Sequence, residues 1–275
     1  MTTEGERYVC KLSTELLEKA VKELNEPRDN TERLKAIDRL KKSYNSDKYG
    51  PFKRMDDLFF LRFLRARKFD HNKALKVLHK YHGIRRKFRE VFDLVDNPSQ
   101  LEEVMESGIM YVSEERTKSG AYVTVYRPEP HTKHTSQYMV YAYGQVCTEY
   151  LLEKEEYQIC GNVLIDDFEH FDTNSVKAIP VKHIKKITNL LQEATPARLQ
   201  SIHLFNEGTA FDLLFTLAKP FMKRRLTKHL KLHGKKYSEI YDEVSPTILP
   251  PCMGGSGSDP VTASKAWVSR LRVVS

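Results

Sequence analysis

Residues 200–222 read QSIHLFNEGTAFDLLFTLAKPFM, and this stretch decides the fold that the sequence predicts. It opens on a short apolar run, Gln200 to Phe205, which predicts a β-strand. After Gly208, apolar residues recur at helical spacing, and we expect one continuous helix from Thr209 to Leu230. A strand followed directly by a long helix is typical of a parallel sheet with crossover helices. The sequence therefore predicts an α/β fold in this region.

Two further strands are expected on the N-terminal side of this stretch. Ala121 to Tyr126 is rich in β-branched and aromatic residues, and Asn162 to Asp166 is a second short apolar run. Helical patterns cover about Gln137 to Glu156 and Val181 to Ala194. Strands that alternate with helices of this length predict a mainly parallel sheet.

The first third of the chain has helical periodicity almost throughout, from Leu12 to Val95. Asp70 is a predicted N-cap for the helix that follows it. We therefore expect residues 1–95 to form an all-helical domain and residues 96–258 to form the α/β domain. Residues 259–275, after the glycine-rich break at Gly254 to Ser258, are expected to be a tail of undefined structure.

The composition excludes several classes of protein. Hydrophobic residues make up 40% of the chain and the mean hydropathy is −0.55, with no apolar run long enough for a spanning helix. The first residues include acids and no apolar segment, so we expect no secretory signal and a cytoplasmic protein. The cysteines Cys10, Cys147, Cys160 and Cys252 are too scattered to predict disulfides or a zinc site.

The positive charge is concentrated in one segment. The chain has 45 basic and 37 acidic residues, a balance of +8. No acid occurs between Asp212 and Glu239, where the basic residues are Lys219, Lys223, Arg224, Arg225, Lys228, Lys231, Lys235 and Lys236. Basic and apolar faces on one helix are typical of docking at an anionic lipid surface. An ordinary core helix with a solvated end remains the alternative.

The sequence does not support catalysis, metal binding or nucleic-acid binding. It has no GxSxG, no glycine-rich phosphate loop and no HExxH motif. The pairs His79/His82, His131/His134 and His229/His233 have ligand-like spacing but no nearby third ligand. Aromatic residues are not interleaved with the basic run, as stacking on bases would require. We expect no enzyme, no metal, no cofactor and no nucleic-acid partner.

Several motifs, in order and spacing, resemble the CRAL-TRIO family. They are SIHLFNE at 201–207, KPF at 219–221, LHG at 232–234, ILPPCMGG at 248–255 and, near the N-terminus, FLRARKFD at 63–70. Pro196 and the run from Ile165 to Phe168 also fit. The resemblance covers roughly residues 10 to 255 and is greatest to the branch of tocopherol-transfer, retinaldehyde-binding and clavesin proteins.

The resemblance implies a helical N-terminal domain and a lipid-binding α/β domain whose mobile gate helix, Glu207 to His229, closes one hydrophobic cavity. The cavity positions that it implies are Tyr141, Gly144, Gln145, Thr148, Asn162, Leu164, Asp166, Leu190, Leu191, Thr195, Ile202, Phe211, Leu214 and Phe215. Several of these are unusually polar. A buried carboxylate without a partner is costly, so Asp166 either meets a polar group of the ligand or pairs with a nearby donor, and we expect the second.

The resemblance also implies phosphoinositide contacts beside the gate. They fall on Arg65, Arg198 and Arg225, with Lys223, Arg224, Lys228 and His229 as further candidates. Two positions that are basic in the family are Gln200 and His229 here, and this puts headgroup selectivity in doubt.

The expected function is an intracellular, monomeric carrier for a small lipophile that is tocopherol-, retinoid-, carotenoid- or phospholipid-like. It would exchange this guest between membranes and bind phosphoinositide surfaces transiently. The alternative is a phosphoinositide-binding adaptor of membrane trafficking that transports no ligand.

Overall fold

The structure, a computed structural model, describes residues 7–50, 54–128 and 136–272. The predicted pair His131 and His134 lies outside these residues. A helical N-terminal region precedes a mostly parallel sheet with helices around it. The predicted fold class is confirmed.

Six helices lie in the described residues up to 96. They are α1 (Thr14–Leu24), α2 (Asn30–Ser43), α3 (Ser46–Tyr49), α4 (Asp57–Ala66), α5 (His71–Lys87) and α6 (Arg89–Asp96). Capping side chains fix where α1, α2, α4 and α5 begin, because each accepts a hydrogen bond from a backbone N–H of the first turn. Asp70 caps α5 as predicted, and its carboxylate lies 3.0 Å from the backbone nitrogen of Lys73.

Helix α4 lies at the centre of this region. Phe60 and Phe63 are buried with Ile37 of α2 and Leu78 of α5. From the same helix, Arg62 extends to Glu149, with 3.1 Å between guanidinium nitrogen and carboxylate oxygen. This ion pair connects the helical region to the α/β region.

The α/β region contains five strands and eight helices within the described residues. The strands are β1 (Met110–Val112), β2 (Tyr122–Tyr126), β3 (Asn162–Asp167), β4 (Leu199–Phe205) and β5 (Leu230–Leu232). The helices are α7 (Glu102–Glu106), α8 (Gln137–Leu152), α9 (Glu155–Cys160), α10 (Thr173–Lys177), α11 (Val181–Asn189), α12 (Thr209–Ala218), α13 (Arg224–Thr227) and α14 (Pro260–Arg272). A π-helical turn, Leu190–Ala194, continues α11.

The sheet order is β1-β2-β3-β4-β5. Strand β1 is antiparallel to β2, and all other pairs are parallel. The three central strands are those that the sequence predicts. The edge strands β1 and β5 were not predicted.

The two faces of the sheet bury different layers, because successive strand residues point to opposite sides. Val163 and Ile165 of β3 belong to the main core, which also contains Tyr143 of α8. Leu164, between them, packs in a second cluster with Phe211 of α12. The sheet therefore separates a solid core from the layer beneath the predicted gate.

The predicted continuous helix from Thr209 to Leu230 is wrong. Helix α12 ends at Ala218, a 3₁₀ turn covers Lys219–Phe221, and Met222 is extended before the short α13. Pro220 explains the break, since it has no backbone N–H and its ring clashes with the preceding turn.

The C-terminal tail is ordered. Helix α14 buries Trp267, Val268 and Leu271 in the main core. The indole N–H of Trp267 donates to the sulfur of Cys147 at 3.2 Å. The sequence left the structure of this tail open, and in the structure the apolar residues of α14 complete the core under α8.

Candidate functional site

The residues Glu207–His229, called the gate segment below, connect the end of β4 to the start of β5. The segment covers one face of the sheet. Its Phe211 and Leu226 are buried with Ile202 of β4. The ring centroid of Phe211 lies 5.1 Å from that of Phe168, which follows β3. The layer between gate segment and sheet is apolar and rich in aromatic side chains.

The two ends of the gate segment are joined by one carboxylate. Glu207 accepts hydrogen bonds from the backbone N–H groups of His233 and Gly234, both at 2.9 Å. Glu207 lies at the first residue of the segment, and the two donors directly follow β5. Removal of this carboxylate would leave the N–H of Gly234 without its acceptor, whereas the N–H of His233 also donates to the Leu204 carbonyl at 3.1 Å.

The middle of the gate segment is held by Gln192 of the π-helical turn. Its amide nitrogen donates to the carbonyl of Phe221 at 2.8 Å, and its oxygen accepts from the N–H of Lys223 at 2.9 Å. Both contacts lie where Pro220 interrupts the helix. One side chain therefore fixes the turn of the gate segment.

Three polar side chains lie deep in the domain: Asp166 of β3, Tyr126, which is its partner in the register of β2, and Tyr141 of α8, and the two tyrosines pack against the main core. Burial raises the pKa of the Asp166 carboxyl to about 7 and also raises the pKa of Tyr126 and of Tyr141. Each of the three nevertheless keeps part of its surface accessible. Side chains that are far from bulk solvent and still border empty space are expected to line an internal cavity.

The other predicted cavity residues differ in exposure. Gln145, Asn162, Leu190, Ile202 and Phe211 are buried. Gly144, Thr148, Leu164, Thr195, Leu214 and Phe215 are part-buried. Leu191 is 51% exposed, so the structure does not bring it into the apolar layer. Their role as a ligand cavity stays a prediction.

Several polar candidates are satisfied within the protein. The Asn162 amide donates to Thr124 at 3.0 Å, and the Thr148 and Thr195 hydroxyls donate to backbone carbonyls. Asp166 is different. Within the described residues no side chain or backbone group hydrogen-bonds to its carboxylate, and the expectation of a paired aspartate is therefore wrong.

The predicted basic residues fall into two groups. Lys223, Arg224, Arg225 and Lys228 are exposed on the gate segment. His229 is part-buried with its Nδ1 2.9 Å from the Gln200 carbonyl, and Arg198 pairs with Glu23 at 3.0 Å. Only the first group is exposed, and within it Lys223 pairs with Glu193.

Arg65 is fully buried, and its charge is already compensated by carboxylates. Its guanidinium bonds to both carboxylate oxygens of Glu26, at 2.8 and 2.9 Å, and pairs with Glu155 at 2.9 Å. In this arrangement Arg65 joins the helical region to α9, and its charge is not available to a headgroup. Its expected phosphoinositide contact is therefore not supported.

Arg67, two residues further on, is the basic residue that the sequence analysis missed. It is buried, and in the described chain no carboxylate pairs with it. Burial and the neighbouring charge of Arg225 lower the pKa of its guanidinium to about 10. Arg65 lies in the last turn of α4, whereas Arg67 is the residue directly after its end, so the two side chains have different surroundings.

A lysine-rich groove of about 660 Å³ continues this basic surface between α5 and α11. Its lysines are Lys76, Lys80, Lys87, Lys182, Lys185 and Lys186. Glu193, on the groove wall, pairs with both Lys80 and Lys223. The ammonium of Lys185 lies 5.7 Å from the ring centroid of Phe221. The groove therefore contacts the gate segment at two points.

The described residues also bear on metal binding and on membrane-spanning helices. In that part of the chain no three His, Cys, Asp or Glu side chains come together as a metal site would require. No described helix is both long and apolar enough to cross a membrane.

Comparison with known proteins gives matches over almost the whole chain. The profile described as "CRAL/TRIO domain" matches residues 105–255, and that described as "CRAL/TRIO, N-terminal domain" matches residues 14–80. The chain is similar to alpha-tocopherol transfer protein-like of Mus musculus, with 32% identity over 94% of this chain and 74% of the relative. The relative of the same name in Homo sapiens is 32% identical, over 94% of this chain and 75% of its own.

A second group of relatives carries a different name. Clavesin-1 of Xenopus laevis is 28% identical over 89% of this chain and 74% of its own. Among solved structures, one titled "Crystal structure of Sfh5" aligns with 97% of this chain and 100% of its own, at 12% identity and a TM-score of 0.42. A likeness at that level carries no argument about function.

Proposed function

Because this chain belongs to the CRAL-TRIO lipid-binding family, we propose that it is an intracellular carrier that transfers one lipophilic molecule between membranes. The guest occupies the space between the sheet and the gate segment. The observation that carries this proposal is the state of Asp166, Tyr126 and Tyr141, which lie deep in the domain and keep accessible surface. A solid core would leave no such surface.

The affinity that such a site offers is suited to a carrier. A guest of about 30 heavy atoms that gains about 0.3 kcal/mol per atom binds with about 9 kcal/mol, a submicromolar dissociation constant. This holds a lipid in water and still permits release once the gate segment moves.

Membrane docking is proposed to occur at the exposed cations of the gate segment and at Arg67. A phosphoinositide headgroup would compensate the unpaired charges of Arg67 and Arg225. It would also compete with Glu193 for Lys223, next to the hydrogen bonds of Gln192. Such a headgroup favours the open gate only if it binds that state more tightly than the closed one.

Two variants test the carrier function in a vesicle-to-vesicle transfer assay with a fluorescent lipophile. Phe215→Asp places a charge in the apolar layer and should abolish uptake. Arg67→Ala with Arg225→Ala should leave uptake intact and slow transfer to phosphoinositide vesicles. Lys265→Ala, on the exposed side of α14, is the control and should change neither. Normal uptake by Phe215→Asp would contradict the proposed site.

The second candidate is an adaptor that reads phosphoinositides and carries nothing. The observation in its favour is the continuous basic surface formed by the gate segment and the lysine-rich groove. An adaptor would bind phosphoinositide vesicles equally well as wild type or Phe215→Asp and would transfer no lipophile in either form.

A further inference from the structure

Asp166 lies on the gate side of the central strand β3. In the sheet register it lies between Tyr126 of β2 and Leu204 of β4. Leu164 and Leu204 pack in the same cluster as the gate-segment side chains Phe211 and Leu214. Asp166 therefore occupies the floor of the proposed cavity.

Its neighbour Asp167 is an aspartate of the same strand whose carboxylate is satisfied by protein partners. Asp167 points to the opposite face, where it accepts from Asn206 at 2.7 Å and pairs with Arg127 at 3.3 Å. Asp166 has neither kind of partner among the described residues. The two adjacent carboxylates thus differ in role, and only Asp166 is left available.

Among the described residues, no cationic side chain forms an ion pair with Asp166. Tyr126 is its titratable neighbour from β2, and Tyr141 of α8 lies next to Tyr126. The gate segment contributes Phe211 and Leu214, which are apolar. An unpaired carboxylate in such a place is costly unless a bound molecule satisfies it.

We propose that Asp166 selects the guest, which is a lipophile whose polar end donates a hydrogen bond, as an alcohol or an amine does, and carries no negative charge. The proposal rests on the proposed carrier function and names its substrate class. A hydroxyl or an ammonium supplies the donor that the carboxylate lacks. A fatty acid or acidic phospholipid in the same place puts two like charges together.

Four probes with the same hexadecyl chain test this selection: hexadecanol, hexadecylamine, hexadecyl methyl ether and palmitate. Each is titrated at pH about 8, where the Asp166 carboxyl is ionised, against the protein loaded with an uncharged fluorescent lipophile. A hydrogen bond to a carboxylate should make the alcohol and the amine at least about tenfold tighter than the ether. Palmitate should be the weakest of the four.

Two substitutions assign the selection to Asp166. Asp166→Leu should remove the preference over the ether for both alcohol and amine. Asp166→Asn keeps an acceptor but no charge, and it should retain the alcohol and lose the extra affinity for the amine. Asp242→Asn, at an exposed aspartate outside the gate segment, is the matched control and should behave as wild type. Fluorophore binding by each variant shows that its cavity is folded.

The possible outcomes distinguish failure of the selection by Asp166 from failure of the proposed carrier function. If the fluorophore binds but palmitate matches the alcohol, or Asp166→Leu keeps the alcohol preference, the selection by Asp166 is wrong and the carrier stands. If neither the fluorophore nor any probe binds wild type, the carrier function fails and the selection fails with it.

Discussion

The carboxylate of Glu207 accepts a hydrogen bond from the backbone N–H of His233 at 2.9 Å. Because the gate segment lies between these residues in the chain, this contact closes it into a loop. A second bond from Gly234 to the same carboxylate strengthens the closure. The loop moves as a unit while this contact holds. It opens at its base only when the Glu207 carboxylate is released.

Substitution of Glu207 should loosen the base of the gate segment. Glu207→Ala leaves the backbone N–H of Gly234 without its acceptor, at a cost of about 1–3 kcal/mol in stability, while the N–H of His233 keeps the Leu204 carbonyl. We expect faster release of a bound lipophile, measured by stopped-flow fluorescence, and faster amide exchange at Gly234. Asp242→Ala, at an exposed aspartate outside the gate segment, is the control, and equal release rates for both variants would contradict the hinge.

Glu193 should restrain the basic surface, because it neutralises Lys80 and Lys223 together. Glu193→Gln keeps the shape and removes the charge. We expect several-fold tighter binding to phosphoinositide vesicles in a sedimentation assay, with Glu103→Gln on α7 as an exposed control. Unchanged binding would show that Glu193 does not compete with headgroups.

Arg65 and Arg67 should respond in opposite ways to the same change. Arg65→Met removes one of the two arginines that pair with the buried Glu26, leaving Arg33, and should cost about 3 kcal/mol in urea unfolding. Arg67→Met removes a buried cation that lacks a carboxylate partner and should raise stability by about 1 kcal/mol. Only Arg67→Met should weaken phosphoinositide binding in a fully folded protein. A destabilising Arg67→Met would mean that its charge is compensated in the native state.

The lipid-free protein should lose stability as pH rises through about 7, because burial raises the pKa of Asp166 to about 7. In an unfolded chain that pKa is about 3.9, so between these values the native state holds a proton that the unfolded state has released. This contribution is complete below pH about 4 and is lost as pH rises through about 7. Asp166→Asn should therefore exceed wild type by up to about 4 kcal/mol at pH about 8, and the gap should shrink toward pH about 4. Urea unfolding at both values measures it, and a gap independent of pH would contradict the assignment.

The sequence predicted those helices and strands that depend on neighbouring residues in the chain, such as a capping residue or a short apolar run. Asp70 caps its helix, and the β-branched and apolar runs form β2, β3 and β4. The edge strands β1 and β5 have three residues each, too short for any alternation to be read. The break at Pro220 was readable from the sequence, but the strong apolar periodicity on both sides of it favoured one helix.

The site was less predictable, because pairing between distant residues decides it. Arg65 and Arg67 are chemically identical, and only the contact of Arg65 with Glu26, 39 positions away, separates a structural arginine from an available one. The same holds for Asp166 and Asp167, whose partners come from other strands and loops. The sequence predicts where a lipid site and a basic surface lie. No local pattern in it shows which member of each pair lacks a partner.

Native mass spectrometry after exposure to a lipid extract tests the carrier most directly. The account predicts that wild type retains one added mass, that of a single alcohol- or amine-bearing lipophile, and that Phe215→Asp remains bare. A wild-type protein that remains bare under conditions where it is folded would contradict the carrier.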